Sequence, residues 1–142
     1  MIKVIAGGKK SVKWVEAGCA EYEKRLRKPF VTDWQFCDED RLLEKVLKLP
    51  KEAFVILLDE NGRLLDSLEL AMKIKTPLET GHEVVFVIGG AFGHFPEELK
   101  QRADLILSLS KLVYPHQICR LVLAEQIYRS QEICLGHPYH HA

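Results

Sequence analysis

Two continuous apolar runs constrain the fold of this chain more than any other feature of its sequence. They are residues 53–58 and the apolar part, residues 84–88, of the segment 83–88, each about one strand long and lacking the polar–apolar alternation of a half-exposed strand. A strand has this composition when both of its faces are covered, as in a parallel sheet between helices. Neither run approaches the ~20 residues of a membrane span. The runs therefore predict a buried parallel sheet.

Helical patterns separate the predicted strands along the whole chain. Strands are predicted at residues 1–6, 30–37, 53–58, 83–88 and 104–109. Helices are predicted at 11–27, capped by Ser11, from 38 or 40 to about 47, at 67–75, from 95–98 onward and at 115–135. Residues 59–63 are predicted to form a turn. This alternation favours one α/β domain over residues 1–142, with ligands bound at the carboxyl ends of the strands.

Composition excludes several classes of protein. The net charge of the chain is zero, although residues 1–28 contain eight basic residues and only three acidic ones. This bias indicates either phosphate contacts or a solvated helix face. No secretory signal is recognisable, so a cytoplasmic protein without a membrane partner is expected. The four cysteines have no Cys-x-x-Cys spacing and are interpreted as small core residues.

Three predicted loops leave strand carboxyl ends in the second half of the chain. They are residues 58–62, 89–93 and 109–115. Gly89 and Gly90 remove side chains where backbone must approach a ligand or another segment. The spacing G-G-x-x-G only loosely resembles a dinucleotide loop, and a tight strand-to-helix turn explains the glycines as well. Together the three loops predict a ligand pocket.

The last predicted helix is apolar around most of its circumference. Only Glu125, Arg129 and Glu132 form a narrow polar stripe. A partner subunit, most simply in a twofold dimer, or burial within the chain's own domain explains so wide an apolar surface. Arg120 interrupts the apolar face one turn after His116, which predicts either a structural partner or a substrate phosphate.

Four of the six histidines lie at the two ends of this helix. Imidazole is the side chain that titrates nearest to neutral pH. The ending His137-Pro138-Tyr139-His140-His141 therefore indicates a C-terminal tail that is fixed in place and has a catalytic or ligand-binding role. The spacing of these histidines does not match a zinc site, and no metal is expected.

In combination these motifs resemble the ribosomal RNA large-subunit methyltransferase H family of the SPOUT class. The segments that carry the resemblance are residues 57–59, 87–93, 107–110, Tyr114-Pro115-His116 with Arg120, 123–129 and Gly136-His137-Pro138-Tyr139-His140. The resemblance covers essentially the whole chain. It implies a C-terminal trefoil knot, a homodimer, S-adenosylmethionine as cofactor, and methylation of N3 of a pseudouridine in 23S rRNA on the assembled ribosome.

The resemblance also assigns residues to the site. Those expected to enclose the cofactor are Leu58, Gly89, Gly90, Leu109, Ser110, Lys111, Leu112, Val113 and Tyr114. Those expected to face the RNA are His116, Arg120, Tyr139 and His140, with the tail crossing to the partner's active site. His141 stands where many relatives have arginine, and Lys111 where a small residue is frequent.

The implied reaction needs an aligned nucleophile and a base for the N3 proton. His140 or His116 is the expected base, with Tyr139 orienting the ring and Arg120 steadying a phosphate or oxyanion. Two other readings stay open. One is a nucleotide-binding α/β enzyme of ordinary topology, supported by the glycine loop. The other is a non-catalytic ribosome-binding module, supported by the basic first third of the chain.

Overall fold

Strands and helices alternate in the computed structural model, which describes residues 1–90 and 95–141. The strands are β1 (Ile2–Gly7), β2 (Thr32–Cys37), β3 (Phe54–Leu64), β4 (Val84–Ile88) and β5 (Leu105–Ser108). The helices are α1 (Lys13–Glu23), α2 (Leu42–Leu47), α3 (Ser67–Glu79), α4 (Glu97–Arg102) and α5 (His116–Leu135), with a 3-10 turn at Glu39–Arg41. The predicted order of elements is confirmed within these residues.

The strands form one parallel sheet in the order β2-β1-β4-β3-β5. Every residue of the central strand β4 is buried. Val84 and Phe86 pack with α3 and α5 on one face, while Val85 and Val87 pack with α2 and α4 on the other. Covering both faces explains why the strand segments are apolar without alternation.

Helix α5 lies between α1 and α3 on one face of the sheet. Ala124 packs with Val15 and Cys19 of α1, and burial raises the pKa of the Cys19 thiol to about 11. Gly18 permits the close approach of α1 to α5, since a Cβ on Gly18 would lie 2.7 Å from Cδ1 of Leu121. The flanks of α5 are therefore covered largely by its own chain. Among the described residues, no helix has the length and apolar character needed to cross a membrane.

The predicted turn at residues 59–63 is wrong, because these residues do not end strand β3. Strand β3 continues to Leu64, with a register shift in which both Leu58 and Arg63 pair with Leu107 of β5. The turn chemistry is present, because the amide N of Asn61 donates to Oδ1 of Asp59 at 2.9 Å. Gly62 is needed there, since a Cβ would lie 2.8 Å from the backbone of Ile106. These residues form a bulge inside a strand.

Helix α1 is shorter than its apolar pattern predicts. It begins at Lys13 with Val12 as its N-cap and ends at Glu23, and no side chain caps its start. Ser11, the expected cap, instead accepts a hydrogen bond from Nη1 of Arg120 at 3.1 Å. The hydroxyl of Ser11 therefore binds Arg120, a residue distant in sequence, and does not cap α1.

Candidate active site

A cavity of about 780 Å³ lies at the carboxyl ends of β3, β4 and β5. That volume lies within the range of roughly 300–1,000 Å³ typical of small-molecule sites. The strand ends Leu58, Ile88 and Ser108 line its floor, and the first turn of α5 closes one side. The position agrees with the expectation that ligands bind at this edge of a parallel sheet.

Most of the nominated cofactor residues line this cavity. They are Leu58, Gly89, Gly90, Leu109, Ser110, Leu112, Val113 and Tyr114. Lys111 belongs to the same loop, but it is exposed and is not part of the lining. The nominated motif residues Ala91, Phe92 and Gly93 lie outside the described residues.

Hydroxyl groups hold the loop that follows β5 in shape. Oγ of Ser108 donates to the carbonyl of Ser110 at 2.9 Å, and the amide of Leu112 donates to Oγ of Ser110 at 2.9 Å. Leu112 and Val113 remain 70% and 72% exposed. The loop is therefore ordered by its own polar groups and presents backbone and apolar surface to the cavity.

Four further polar residues line the cavity: Asp59, Glu60 and Asn61 enter it from the β3 bulge, and Lys100 enters from α4. The first three belong to the predicted pocket loop 58–62, although the sequence analysis gave them no individual role. Lys100 was not predicted. Lys100 lies on a short helix without a motif, so only the packing of α4 against the sheet reveals its place.

Glycine is required where the loops after β1 and β4 meet. A Cβ on Gly7 would lie 3.2 Å from the amide N of Gly90, and a Cβ on Gly90 would overlap the carboxylate of Glu39. Neither position has room for a side chain. The cavity therefore abuts the β1–α1 loop and the 3-10 turn.

His116 is the first residue of α5, and it lines the cavity while half-buried. Its ring forms no hydrogen bond or ion pair with any residue that the structure describes. Imidazole in this position is available to a bound molecule.

Arg120 occupies a different environment from His116. Its side chain is 0% exposed, and it donates to the carbonyls of Lys9 at 2.9 Å and Gly7 at 3.2 Å. Its guanidinium also lies 5.1 Å from the ring centre of Phe36. The expectation that Arg120 faces the RNA does not agree with this enclosure. The geometry instead makes Arg120 a positioning residue for the β1–α1 loop.

The polar stripe of α5 holds the C-terminal tail. Tyr139 donates its hydroxyl to Oε2 of Glu125 at 3.1 Å, and Nη1 of Arg129 lies 3.0 Å from Nδ1 of His140. Arg129 also forms an ion pair with Glu125 at 2.7 Å. The tail is thus fixed on the helix from which it emerges.

These contacts define the hydrogen-bonding roles of two tail residues. Burial, followed by the nearby Glu125 carboxylate, raises the pKa of Tyr139, so its hydroxyl stays protonated and donates at neutral pH. A guanidinium N–H can only donate, so Nδ1 of His140 accepts. The neutral His140 ring consequently carries its proton on Nε2.

A second cavity of about 460 Å³ lies beside the tail. Ser67, Gln126, His140 and His141 line it, and it shares residues 107–109 of β5 and its following loop with the larger cavity. Within one chain, His140 and His116 therefore lie at different cavities on either side of β5. Among residues 1–90 and 95–141 no group of three potential metal-binding side chains occurs.

Comparison with known proteins agrees with this architecture. A family model described as a predicted SPOUT methyltransferase matches residues 1–140. A crystal structure of a TrmH/SpoU tRNA modifying enzyme from A. aeolicus shares the fold, with a TM-score of 0.52 and 10% identity over 97% of this chain and 79% of the other.

Curated relatives match over nearly their full length. The ribosomal RNA large subunit methyltransferase H of Neisseria meningitidis serogroup C is 37% identical over 98% of this chain and 97% of its own. The protein of the same name from Stenotrophomonas maltophilia strain K279a is 38% identical over 99% of this chain and 98% of its own. With this identity and the matching family model, the chain belongs to the SPOUT methyltransferase family, within the large subunit methyltransferase H group.

Proposed function

We propose that this protein is an S-adenosylmethionine-dependent methyltransferase that modifies N3 of a pseudouridine in 23S rRNA of the assembled ribosome. The observation that carries the proposal is the cavity at the ends of β3, β4 and β5, which eight of the nine nominated cofactor residues line. The curated relatives named for large-subunit rRNA methylation support the substrate class.

The residues of the larger cavity fit this cofactor. The cavity has an apolar wall from Leu58, Leu109 and Leu112, suited to a nucleoside ring, and acidic residues Asp59 and Glu60 at its rim, suited to cationic groups. When bound, S-adenosylmethionine supplies an activated methyl group on a sulfonium. Backbone groups of the loop after β5 and of Gly89 and Gly90 would hold the nucleoside.

His116 is the base that this geometry favours. It lines the cofactor cavity, and its ring is unengaged by the described residues. His140 is the poorer candidate, because Nδ1 accepts from Arg129 and Nε2 carries the proton. In this arrangement His116 removes the N3 proton, while Nε2–H of His140 donates to a uracil oxygen that gains charge.

A homodimer completes the proposed site. In one chain the tail lies at the smaller cavity, so bringing His140 to a cofactor cavity requires the tail of a second copy. Ile118 and Val122 of α5 are half-buried and belong to no core cluster of the described residues, so they provide an apolar contact surface. We expect this surface to pack against its equivalent in the partner.

We also expect the trefoil knot of the SPOUT class in the C-terminal part. Strands β4 and β5 are consecutive along the described elements, yet β3 lies between them in the sheet. Such a crossing order is consistent with a threaded chain. Tracing residues 84–141 in an experimental structure tests this expectation.

Methyl transfer to ribosomes tests the proposed function. Ribosomes lacking the modification are incubated with the protein and labelled S-adenosylmethionine, and the label is mapped in the rRNA. Label at N3 of one pseudouridine of 23S rRNA is the expected result. Label on free nucleotides only, or ribosome association without transfer, would contradict it.

A further inference from the structure

The β1–α1 loop carries a group of basic residues beside the cofactor cavity. Lys9, Lys10 and Lys13 are exposed, and none forms an ion pair with any described residue. Trp14, on the first turn of α1, is 60% exposed. We call residues 9, 10, 13 and 14 the loop patch. Three unpaired ammonium groups next to an exposed indole have no structural role within this chain.

Arg120 gives the loop patch a fixed shape. Its guanidinium binds the carbonyls of Gly7 and Lys9 and the hydroxyl of Ser11. The amide of Val12 is held by Oε1 of Gln117 at 3.0 Å. Gly8 adopts a φ of +103°, a conformation that side chains disfavour. The loop is therefore built as a rigid platform on the start of α5.

The charge at this corner is strongly positive. Among the described residues no carboxylate forms an ion pair with Arg120, whose buried charge meets carbonyl and hydroxyl dipoles and the ring of Phe36. Glu16 is the nearest acidic residue in the sequence, and it forms no ion pair with the three lysines. The side chain of Glu39 lies against Gly7 and Gly90. The net field of the loop patch therefore favours anions.

The loop patch also lies close to the reacting centre of the proposed enzyme. Gly7 packs against Gly90, and Gln117, which holds Val12, directly follows His116. Both Gly90 and His116 line the cofactor cavity. A nucleic-acid strand that places a base in the cavity would have its neighbouring phosphates within the reach of these lysines.

We propose that the loop patch is an RNA-docking surface, a role that rests on the proposed rRNA methyltransferase function. The lysines bind phosphates flanking the target nucleotide, and the indole of Trp14 stacks against an unpaired base. Stacking on an aromatic ring and charge pairing along the backbone are the two ways in which proteins hold single-stranded RNA. The patch supplies RNA affinity to a chain whose net charge is zero.

Charge-matched variants test this surface. The test variant is Lys9→Gln/Lys10→Gln/Lys13→Gln. The control is Lys28→Gln/Lys51→Gln/Lys73→Gln, which removes the same charge at exposed lysines away from the cavity that form no ion pair with described residues. Binding of a 23S rRNA fragment is measured from 50 to 300 mM KCl, with S-adenosylmethionine affinity and sedimentation on the same samples.

The test variant should bind RNA at least tenfold more weakly at low salt and lose roughly two to three units of salt slope, about one for each lost contact. The control should keep its slope. Trp14→Ala should weaken binding roughly fivefold or more, with partial recovery in Trp14→Phe. S-adenosylmethionine affinity should stay within about twofold, as expected for a patch outside the cavity.

Two outcomes would overturn the proposal. One is an unchanged salt slope in the test variant. The other is dissociation of the wild-type oligomer by the lysine or Trp14 substitutions, which would make the patch a contact between copies. If wild-type protein binds RNA through the patch but transfers no methyl group to ribosomes, the proposed function fails while the docking surface stands.

Discussion

Nη1 of Arg129 lies 3.0 Å from Nδ1 of His140, eleven residues further along the chain. The same guanidinium pairs with Glu125 and lies 4.9 Å from the ring centre of Tyr139. One arginine therefore orients both Tyr139 and His140 of the tail. Because it can only donate, it also decides which nitrogen of His140 carries the proton.

Replacing Arg129 should impair turnover without affecting the cofactor site. Arg129→Met removes every donor that His140 accepts from, so the ring loses its orientation and its fixed tautomer. We expect kcat to fall roughly ten- to a hundredfold, the scale of a small misplacement of a reacting group. S-adenosylmethionine affinity, measured by calorimetry, should not change. Arg129→Lys should recover part of the loss, and Arg27→Gln, at an exposed arginine whose side chain forms no hydrogen bond or ion pair with the described residues, is the control. Equal activity of Arg129→Met and wild type would refute the role.

His116 should be the group whose loss affects proton removal most. We expect His116→Ala to lower kcat by about 10²- to 10⁴-fold, the usual contribution of a general base. Single-turnover transfer to ribosomes is the measurement, with His140→Ala run in parallel. If His116→Ala keeps full turnover while His140→Ala loses it, the assignment of the base is reversed.

The outward apolar residues of α5 should be needed for both assembly and activity. Ile118→Glu/Val122→Glu places two charges on the expected subunit contact, and the desolvation of these charges should prevent dimerisation. Sedimentation should give a monomer, and methyl transfer should be lost in parallel. Leu135→Glu is the matched control, since Leu135 ends the same helix and is 50% exposed. A fully active monomer would contradict the composite site.

The buried thiol of Cys19 should make the fold sensitive to alkaline pH. Burial raises its pKa from 9.0 to about 11, so the folded chain retains a proton that the unfolded chain releases. The contribution to stability is complete below pH 9 and is lost as pH rises through about 11. At most it reaches about 3 kcal/mol, from 1.36 kcal/mol for each unit of pKa.

Comparison with a variant that does not titrate isolates this effect. The free energies of unfolding of wild type and Cys19→Ala are measured in denaturant from pH 7.5 to 10.5. The difference between them should shrink as pH rises. A constant difference would show that folding does not change the pKa of the Cys19 thiol.

The sheet and the cavity loops could be predicted from the sequence because local composition determines them. Residues 84–88 are apolar on both faces, and a parallel sheet is the fold that buries both faces of a strand. The loops that begin near Leu58, Gly89 and Leu109 therefore lie close together, since the carboxyl ends of parallel strands share one edge of the sheet. Tertiary structure was not needed for this step.

Partners distant in sequence could not be predicted. The stripe formed by Glu125, Arg129 and Glu132 is visible on a helical wheel, yet the sequence does not say that the tail covers it. The sequence left open whether Arg120 binds a structural partner or a substrate phosphate, and the partners in the structure include backbone carbonyls more than a hundred residues away. Backbone acceptors have no sequence signature. The bulge at Asp59 and Gly62 was likewise hidden, because turn chemistry does not reveal whether a strand resumes after the turn.

The cavity at the ends of β3, β4 and β5 is proposed to hold the methyl donor for a reaction on the ribosome. Transfer of labelled methyl from S-adenosylmethionine to unmodified ribosomes, followed by mapping of the labelled nucleotide, tests this proposal. We predict label on one pseudouridine N3 of 23S rRNA. Binding of NAD or ATP in place of S-adenosylmethionine, with no label in the rRNA, would contradict it.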